Sequence, residues 1–346
     1  MAIAEVRVMI EIDGSMGEGG GQVLRTSIAL STVTQQPVRI ARIRAGRAQP
    51  GLSHQHITSV QAVAALSDAT VEGLSLGAQE IEFRPGALLG GRFEFGIGTA
   101  GSIPLVVLSC LLPAALSKGT AEMVITGGTD VKWSPSIDYL TRTHLPISGK
   151  FGLECSLELL SRGFYPEGGG EVHMKVLPAG TLRGANLGVR GRLLRVGGVA
   201  YSQNLPDHVV SRMRHSAMKR LVSAGDVCID SDVRRGRSTG AGILLTGECE
   251  NSVVGQAALG EKGVKAEALG EGCATDLLET IASGTVVDEY MLDQVLPYMA
   301  TAKGSSVVMA EKLTGHAETN IAVIESFVDR RFSIVEKEGL IEIAVD

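Results

Sequence analysis

His316 is the residue whose setting most invites chemistry. It lies in Thr314-Gly315-His316-Ala317-Glu318-Thr319-Asn320, a stretch that opens a predicted helix directly after a predicted strand at 305–309. Backbone N–H groups at a helix N-terminus attract anions, and an imidazole nitrogen held there can attack phosphorus. A lone histidine is more often a cap or a core group, so His316 gains weight only from its company. The turn Asp13-Gly14-Ser15-Met16-Gly17-Glu18-Gly19-Gly20-Gly21 supplies some. It lacks the Lys-Ser/Thr ending of a P-loop, which argues against an ordinary Walker-type NTPase. Placed before a helix, it still offers N–H groups to phosphate, and Glu18 can hold a divalent cation or simply cap the helix.

No acidic residue occurs between Glu18 and Asp68, whereas Arg25, Arg39, Arg42, Arg44, Arg47, His54 and His56 all do. The plain alternative is a solvated basic face. The arginines crowd around Gly46 and Pro50, however, and guanidinium forks suit phosphate. Because the formal net charge is -6, any nucleic acid must be met by a local patch of this kind. His54 and His56 stand two apart in a predicted helix and do not share a face, which makes them a poor metal pair. His144, His173, His208 and His215 have no partners at metal-ligand spacing and read as structural or exposed.

These residues need a scaffold. The spacing predicts a strand over 6–12, a helix over 22–34, a strand over 37–44, a helix over 53–66 and short strands near 71, 81–83 and 93–97. The same order returns with Thr99-Ala100-Gly101-Ser102 before an apolar helix, a strand over 121–125, a helix over 137–144, and strands near Cys155 and Val172. A repeat is therefore expected. Its best echo is Glu18-Gly19-Gly20-Gly21-Gln22-Val23 against Glu167-Gly168-Gly169-Gly170-Glu171-Val172. From about Leu182 the texture changes, with strands over 193–201, 227–229, 243–245 and 253–258 and helices over 206–223 and 264–281. After these come a helix over 288–302, a strand over 305–309, a helix over 317–328, and a closing hairpin around Gly339.

The chain of 346 residues is long enough for two domains, and 44% hydrophobic with 20% charged residues excludes a disordered or fibrous chain. Its 44 glycines fall in runs, not in a Gly-X-Y period, and point to tight turns approached by a ligand. Cys110, Cys155, Cys228, Cys249 and Cys273 are scattered without zinc spacing and read as reduced core thiols. No apolar run of membrane-spanning length occurs and no signal peptide is apparent, so a cytoplasmic location is expected.

Taken together, Asp13-Gly14 through Glu18-Gly19-Gly20-Gly21-Gln22 and Arg25, then Arg44-Ala45-Gly46-Arg47, Pro50-Gly51-Leu52 and Gln55-His56, closely resemble the RNA 3'-terminal phosphate cyclase family. Gly98-Thr99-Ala100-Gly101-Ser102, Gly127-Gly128-Thr129-Asp130, the run Gly163 to Gly170, Asp293-Gln294 and Gly315-His316 follow in the family's order. The resemblance implies an α/β (α+β) fold of repeated βαβαββ units in a large domain, at 1–184 and 280–346, with a smaller α/β domain inserted over 185–279.

It also implies an activity. ATP would adenylate His316, an RNA 3'-phosphate would take the AMP as an anhydride, and the 2'-hydroxyl would displace AMP to leave a 2',3'-cyclic phosphodiester. By the same resemblance Glu18 would help hold Mg or Mn. Arg25, Arg44, Arg47, Gln22, Gln55 and His56 would handle phosphates. Leu108, Pro135, Tyr290, Met291, Leu292, Asp293 and Gln294 would form the nucleotide pocket, with Asp293 orienting His316. Leu108 and Tyr290 stand where some members carry Gln and His; Leu108 would line the pocket and Tyr290 would stack on adenine. The implied partner is RNA with a 3'-phosphate end. With aromatics at only 4% and no stacking stripe, modest base specificity is expected. Two rival readings are a noncatalytic relative that binds RNA during ribosome assembly, which should lack the histidine, and an enolpyruvyl transferase, which the motif set disfavours.

Overall fold

The computed structural model describes residues 8–346; the first part of the strand expected at 6–12 lies outside them. Three units of the same topology follow one another. The first comprises β1 (Ile10–Asp13), α1 (Gly21–Thr34), β2 (Val38–Ala41), α2 (His54–Ser67), β3 (Thr70–Glu72) and β4 (Ile81–Arg84). The second comprises β5 (Gly91–Gly96), α3 (Ile103–Ala115), β6 (Ala121–Gly127), α4 (Ile137–Tyr139), α5 (Leu145–Gly149), β7 (Glu154–Ser161) and β8 (Gly170–Leu177), with a π-helical turn at Leu140–His144 joining α4 to α5. The third begins with β9 (Asn186–Leu187) and is then interrupted.

The interruption contains β10 (Leu193–Gln203), α6 (His208–Arg220), β11 (Val227–Arg234), β12 (Gly240–Cys249), β13 (Val253–Leu259) and α7 (Ala266–Ala282). The third unit resumes with α8 (Glu289–Thr301), β14 (Ser306–Ala310), α9 (Gly315–Ile324), β15 (Phe332–Lys337) and β16 (Leu340–Val345). The sheets run β1-β2-β4-β3, β5-β6-β8-β7 and, for the third, β9-β14-β16-β15. In each, the first pair is parallel, as a helical crossover requires, and the other two pairs are antiparallel.

The repeat is thus real, but the echo that suggested it is not its signature. Glu18-Gly19-Gly20-Gly21 leads from β1 into a helix, whereas Glu167-Gly168-Gly169-Gly170 is the turn between β7 and β8. Both positions demand glycine for local reasons, and the units match in topology, not at those residues. The helix expected over 137–144 also runs further, through the π turn to Gly149.

One core joins the three units: Leu24, Ile28, Ile40, Phe83, Val107, Ile125, Val172, Leu296, Val308 and Ile343 are all fully buried in it. The interrupting segment has its own core, in which α6 and α7 pack Met213, Leu221, Cys273 and Leu277 onto Val196, Ile243 and Leu245 of its sheet. The two bodies meet at Arg162, which is 1% exposed. Its guanidinium reaches Asp138 at 2.7 Å, Asp130 at 3.2 Å and, across the junction, Asp232 at 2.9 Å, and it lies 3.8 Å from the ring centroid of Tyr201. α1 sits centrally among the helices, touching α2, α3 and α9. Residues on its first turns are therefore flanked by all three units.

Candidate active site

The Gly-rich turn folds back on α9. Gly17 has φ +55°, and a Cβ there would collide with Thr319 Oγ1, so the turn can approach this helix only because Gly17 has no side chain. That approach brings Glu18 to His316: the carboxylate Oε2 lies 3.2 Å from Nδ1, and both side chains are about half exposed. Thr314 caps α9, its hydroxyl accepting from the Ala317 N–H at 3.1 Å, which fixes the first turn on which His316 stands. A carboxylate only accepts, so this contact favours the tautomer with hydrogen on Nδ1 and a free lone pair on Nε2.

α1 starts at Gly21, and its N-cap, Gly20, offers no side-chain cap, leaving the first-turn N–H groups available. A Cβ at Gly21 would collide with His56 Nε2, and it would lie 3.0 Å from an Arg25 guanidinium nitrogen. His56 Nδ1 accepts the Ser53 backbone N–H at 3.1 Å and also contacts Ser53 Oγ at 2.7 Å, closing a capping box on α2. Since a backbone amide can only donate, the ring hydrogen belongs on Nε2, directed at Gly21. Burial, with Arg25 and Arg44 nearby, pushes the His56 pKa down to about 3. It is a neutral N–H donor, not a cation.

The basic patch divides in two. Arg39 pairs with Glu80 and Arg42 with Asp13, so their charge is locally spent. Arg47 donates to the Glu18 backbone carbonyl at 2.9 Å, and Arg44 to that of Gly51 at 2.7 Å; neither has a carboxylate partner. Burial and the charge of Arg47 push the Arg44 pKa down. Arg25 is pushed down to about 10 by burial, against the pull of Asp293. Arg25, Arg44, Arg47 and His56 therefore collect around the turn, while Arg39 and Arg42 are occupied elsewhere. Gln55 is turned toward the second unit: its Oε1 accepts the Ser102 N–H at 3.0 Å, at the N-cap of α3.

The residues expected to bind a nucleotide separate in the same way. Asp293 is buried and accepts from Gln22 and, at 2.7 Å, from Gln294. Its backbone carbonyl accepts from Asn320 at 2.6 Å, and Asn320 in turn accepts from Thr26 at 2.7 Å. Burial pushes the Asp293 carboxyl up to about 7, opposed by Gln294 and Arg25. The expectation that Asp293 orients His316 gives way to a different arrangement: Glu18 contacts the imidazole, and Asp293 ties α1 to α8. Met291 and Leu292 are fully buried in the core, because five consecutive residues on a helix cannot all face one ligand. Their side chains pack in the core, which leaves only their backbone to face a ligand.

Leu108, Gln22, Arg25 and Gln294 line one narrow cavity between α1, α3 and α8. Tyr290 is 52% exposed and stands edge-on to Tyr139 at 6.3 Å. Pro135 lies in the loop that enters α4, next to Ser136, which caps Tyr139 at 3.1 Å. Tyr290, Asp288, Glu289 and Lys312 border a cavity of about 280 Å³.

Among the described residues no cluster of three acidic, histidine or cysteine side chains could hold a metal by itself. Glu18 is the carboxylate at the turn. A single carboxylate suits Mg or Mn, which commonly take one or two carboxylates and complete their shell with substrate phosphates and water. Sequence reasoning missed the Glu18 and His316 contact, which needs the closure of the first unit on the third.

A family model described as RNA 3'-terminal phosphate cyclase matches residues 16–334. Relatives carrying that name include one from Methanothermobacter thermautotrophicus, 44% identical over 334 residues that cover 96% of this chain and 98% of the relative. One from Archaeoglobus fulgidus is 42% identical over 332 residues, again 96% and 98%. One from Nitrosospira multiformis is 43% identical over 339 residues, covering 97% and 96%.

Proposed function

We propose that this chain, which belongs to the RNA 3'-terminal phosphate cyclase family, converts an RNA 3'-phosphate to a 2',3'-cyclic phosphodiester at the expense of ATP. The observation that carries the reading is the Glu18 to His316 contact at the N-terminus of α9, beside an open helix N-terminus and uncompensated arginines. In the first step His316 Nε2 attacks the α-phosphorus of ATP; the new N–P bond replaces the bond to the leaving diphosphate. An oxygen of the RNA 3'-phosphate then displaces the imidazole and takes the AMP as an anhydride. Finally the neighbouring 2'-hydroxyl attacks the RNA phosphorus, loses its proton, and expels AMP.

Each step is a displacement at phosphorus, where positioning and charge cancellation do most of the work. Arg25, Arg44 and Arg47 would bind phosphate oxygens, His56 would donate its Nε2–H, and the first-turn N–H groups of α1 would add a third kind of donor. Gln22 and Gln55 would hold these elements in register. Glu18 would keep the Nδ1–H of His316 oriented and, through its other oxygen, help hold Mg or Mn, which would neutralise phosphate charge. Adenine would stack on Tyr290 near Pro135, with Leu108, Asp293 and Gln294 shaping the inner wall. No described helix is long and apolar enough to cross a membrane, and we assign the activity to the cytoplasm. We also propose that the inserted domain, expected at 185–279, has its body from β10 to α7, since β9 pairs with β14 of the third unit.

The test is gel-based conversion of an RNA ending in 3'-phosphate, with ATP and Mg, by the wild type and by His316→Ala. A phosphatase-resistant end from the wild type alone supports the proposal. An inert wild type would instead favour a noncatalytic RNA-binding role.

A further inference from the structure

The only tryptophan in the chain, Trp133, is 97% exposed. It also has φ +60°, a left-handed conformation that costs a bulky residue energy and persists only where the surroundings impose it. Contacts tie down the residues on both sides. Lys132 pairs with Glu261 of the inserted body at 2.9 Å, and Ser134 hydrogen-bonds Ser102 at the N-cap of α3. The ring is thus held out into solvent by its own flanking residues. Tyr165, 79% exposed, is displayed by the neighbouring turn, because Asp130 and Phe164 form a bridge and the Thr129 N–H donates to the Gly163 carbonyl at 2.8 Å.

Arg237 lies across that same turn. Its side chain covers Gly169, and Ser238 Oγ accepts the Phe164 N–H at 2.8 Å. Arg235 and Arg237 are exposed and have no carboxylate partner. Two exposed aromatic rings and two uncompensated cations therefore stand on loops that meet where the second unit joins the inserted body. A chain of contacts links this corner to the candidate active site: Ser134 bonds Ser102, Ser102 bonds Gln55, and Gln55 precedes His56.

We propose that Trp133 and Tyr165, with Arg235 and Arg237, form a stacking platform for the single-stranded nucleotides that precede the 3'-phosphate of the RNA. The proposal rests on the cyclase reading of the site. Single-stranded nucleic acid is bound by this combination of aromatic faces and backbone-tracking cations, and any base can stack, so sequence preference is weak. No aromatic stripe in the sequence foretold it, because the two rings come from separate loops brought together by the bridge at Asp130. The unpaired arginines favour a polyanion over a protein partner or a second copy of this chain.

Trp133 makes the test direct. Its fluorescence should change saturably on titration with a 3'-phosphorylated octaribonucleotide. Trp133→Ala and Tyr165→Ala should each raise the KM for the octanucleotide, relative to that for a 3'-phosphorylated dinucleotide, by roughly tenfold, the range expected for one lost stack. Trp133→Phe should recover most of that ratio. Arg237→Ala should lower the salt dependence of binding, by a log–log slope of about 0.7 if one phosphate contact is lost. Uptake of label from α-labelled ATP, measured on the same wild-type sample, keeps the two readings apart. Labelled protein with unchanged fluorescence and an unchanged KM ratio in both alanine variants overturns the platform and leaves the cyclase reading intact. Saturable quenching without label uptake keeps an RNA platform and overturns the cyclase reading. Loss of self-association in Trp133→Ala, with octanucleotide binding preserved, would assign the face to a protein interface and overturn the proposal.

Discussion

Glu18 and His316 meet at 3.2 Å although one belongs to the first repeat unit and the other to the third. Glu18→Gln retains an oxygen that can accept from Nδ1, whereas Glu18→Ala removes it. Loss of a group that orients a reacting imidazole commonly costs tenfold to a hundredfold. Transfer of label from α-labelled ATP to protein should therefore fall about tenfold or more in Glu18→Ala, and less in Glu18→Gln. Equal losses in the two variants would assign Glu18 to charge, and hence to cation binding, in preference to orientation.

Gly17 should tolerate no side chain. Alanine there must adopt φ +55° and also displace Thr319, so Gly17→Ala should destabilise by more than about 1 kcal/mol. Thr319→Ala in the same chain should recover part of the loss by making room, but not the part due to the backbone. Urea denaturation of the wild type and the two variants checks this.

The buried acids set a pH dependence of definite sign. Burial raises Asp293 to about 7 and Asp288 to about 6, whereas an unfolded aspartate titrates near 4. Between about pH 4 and 7 the folded chain keeps protons that the unfolded chain sheds, so this contribution to stability falls as pH rises. His56 and His144, both lowered to about 3 by burial, act oppositely: stability is lost as pH falls below about 6.5. In Asp293→Asn the thermal midpoint should rise relative to wild type as pH climbs from about 4 to 7, then hold that advantage. A difference independent of pH would rule out burial of the carboxyl as the cause.

Arg162 balances three carboxylates at the junction of the two bodies. Arg162→Ala would strand buried Asp130 without its counter-charge, a change that typically costs about 3–5 kcal/mol. Chemical denaturation should show that loss. Limited proteolysis should cut faster near the entrance and exit of the inserted body, while a variant of the exposed pair Arg195 and Glu248 should behave as wild type.

Much of this architecture was readable from hydrophobic period and turn chemistry. Strands and helices of the first unit fall within a few residues of expectation, because their apolar faces pack against one continuous core. What escaped was any property that depends on how units close on each other. The run from Tyr290 to Gln294 was expected to face a ligand as a block, but helical geometry turns Met291 and Leu292 inward. Asp293 was expected to serve His316, and only the folded chain shows Glu18 in that position. Four arginines in a row of sequence looked equivalent until Glu80 and Asp13, from elsewhere in the unit, claimed two of them. Trp133 carried no signal at all, since nothing in a linear chain says that a bridge at Asp130 will join its loop to the turn that carries Tyr165.

The closure of the first unit on the third also has a consequence for synthesis. In a chain emerging from the ribosome the glycine-rich turn comes before the inserted body, whereas His316 arrives only with α9, after the inserted body and most of the core have been made. The Glu18 and His316 pair therefore cannot assemble in a chain that stops before α9. On the proposed mechanism, completion of the fold acts as a safety catch, and a product truncated before α9 should take up no label from α-labelled ATP.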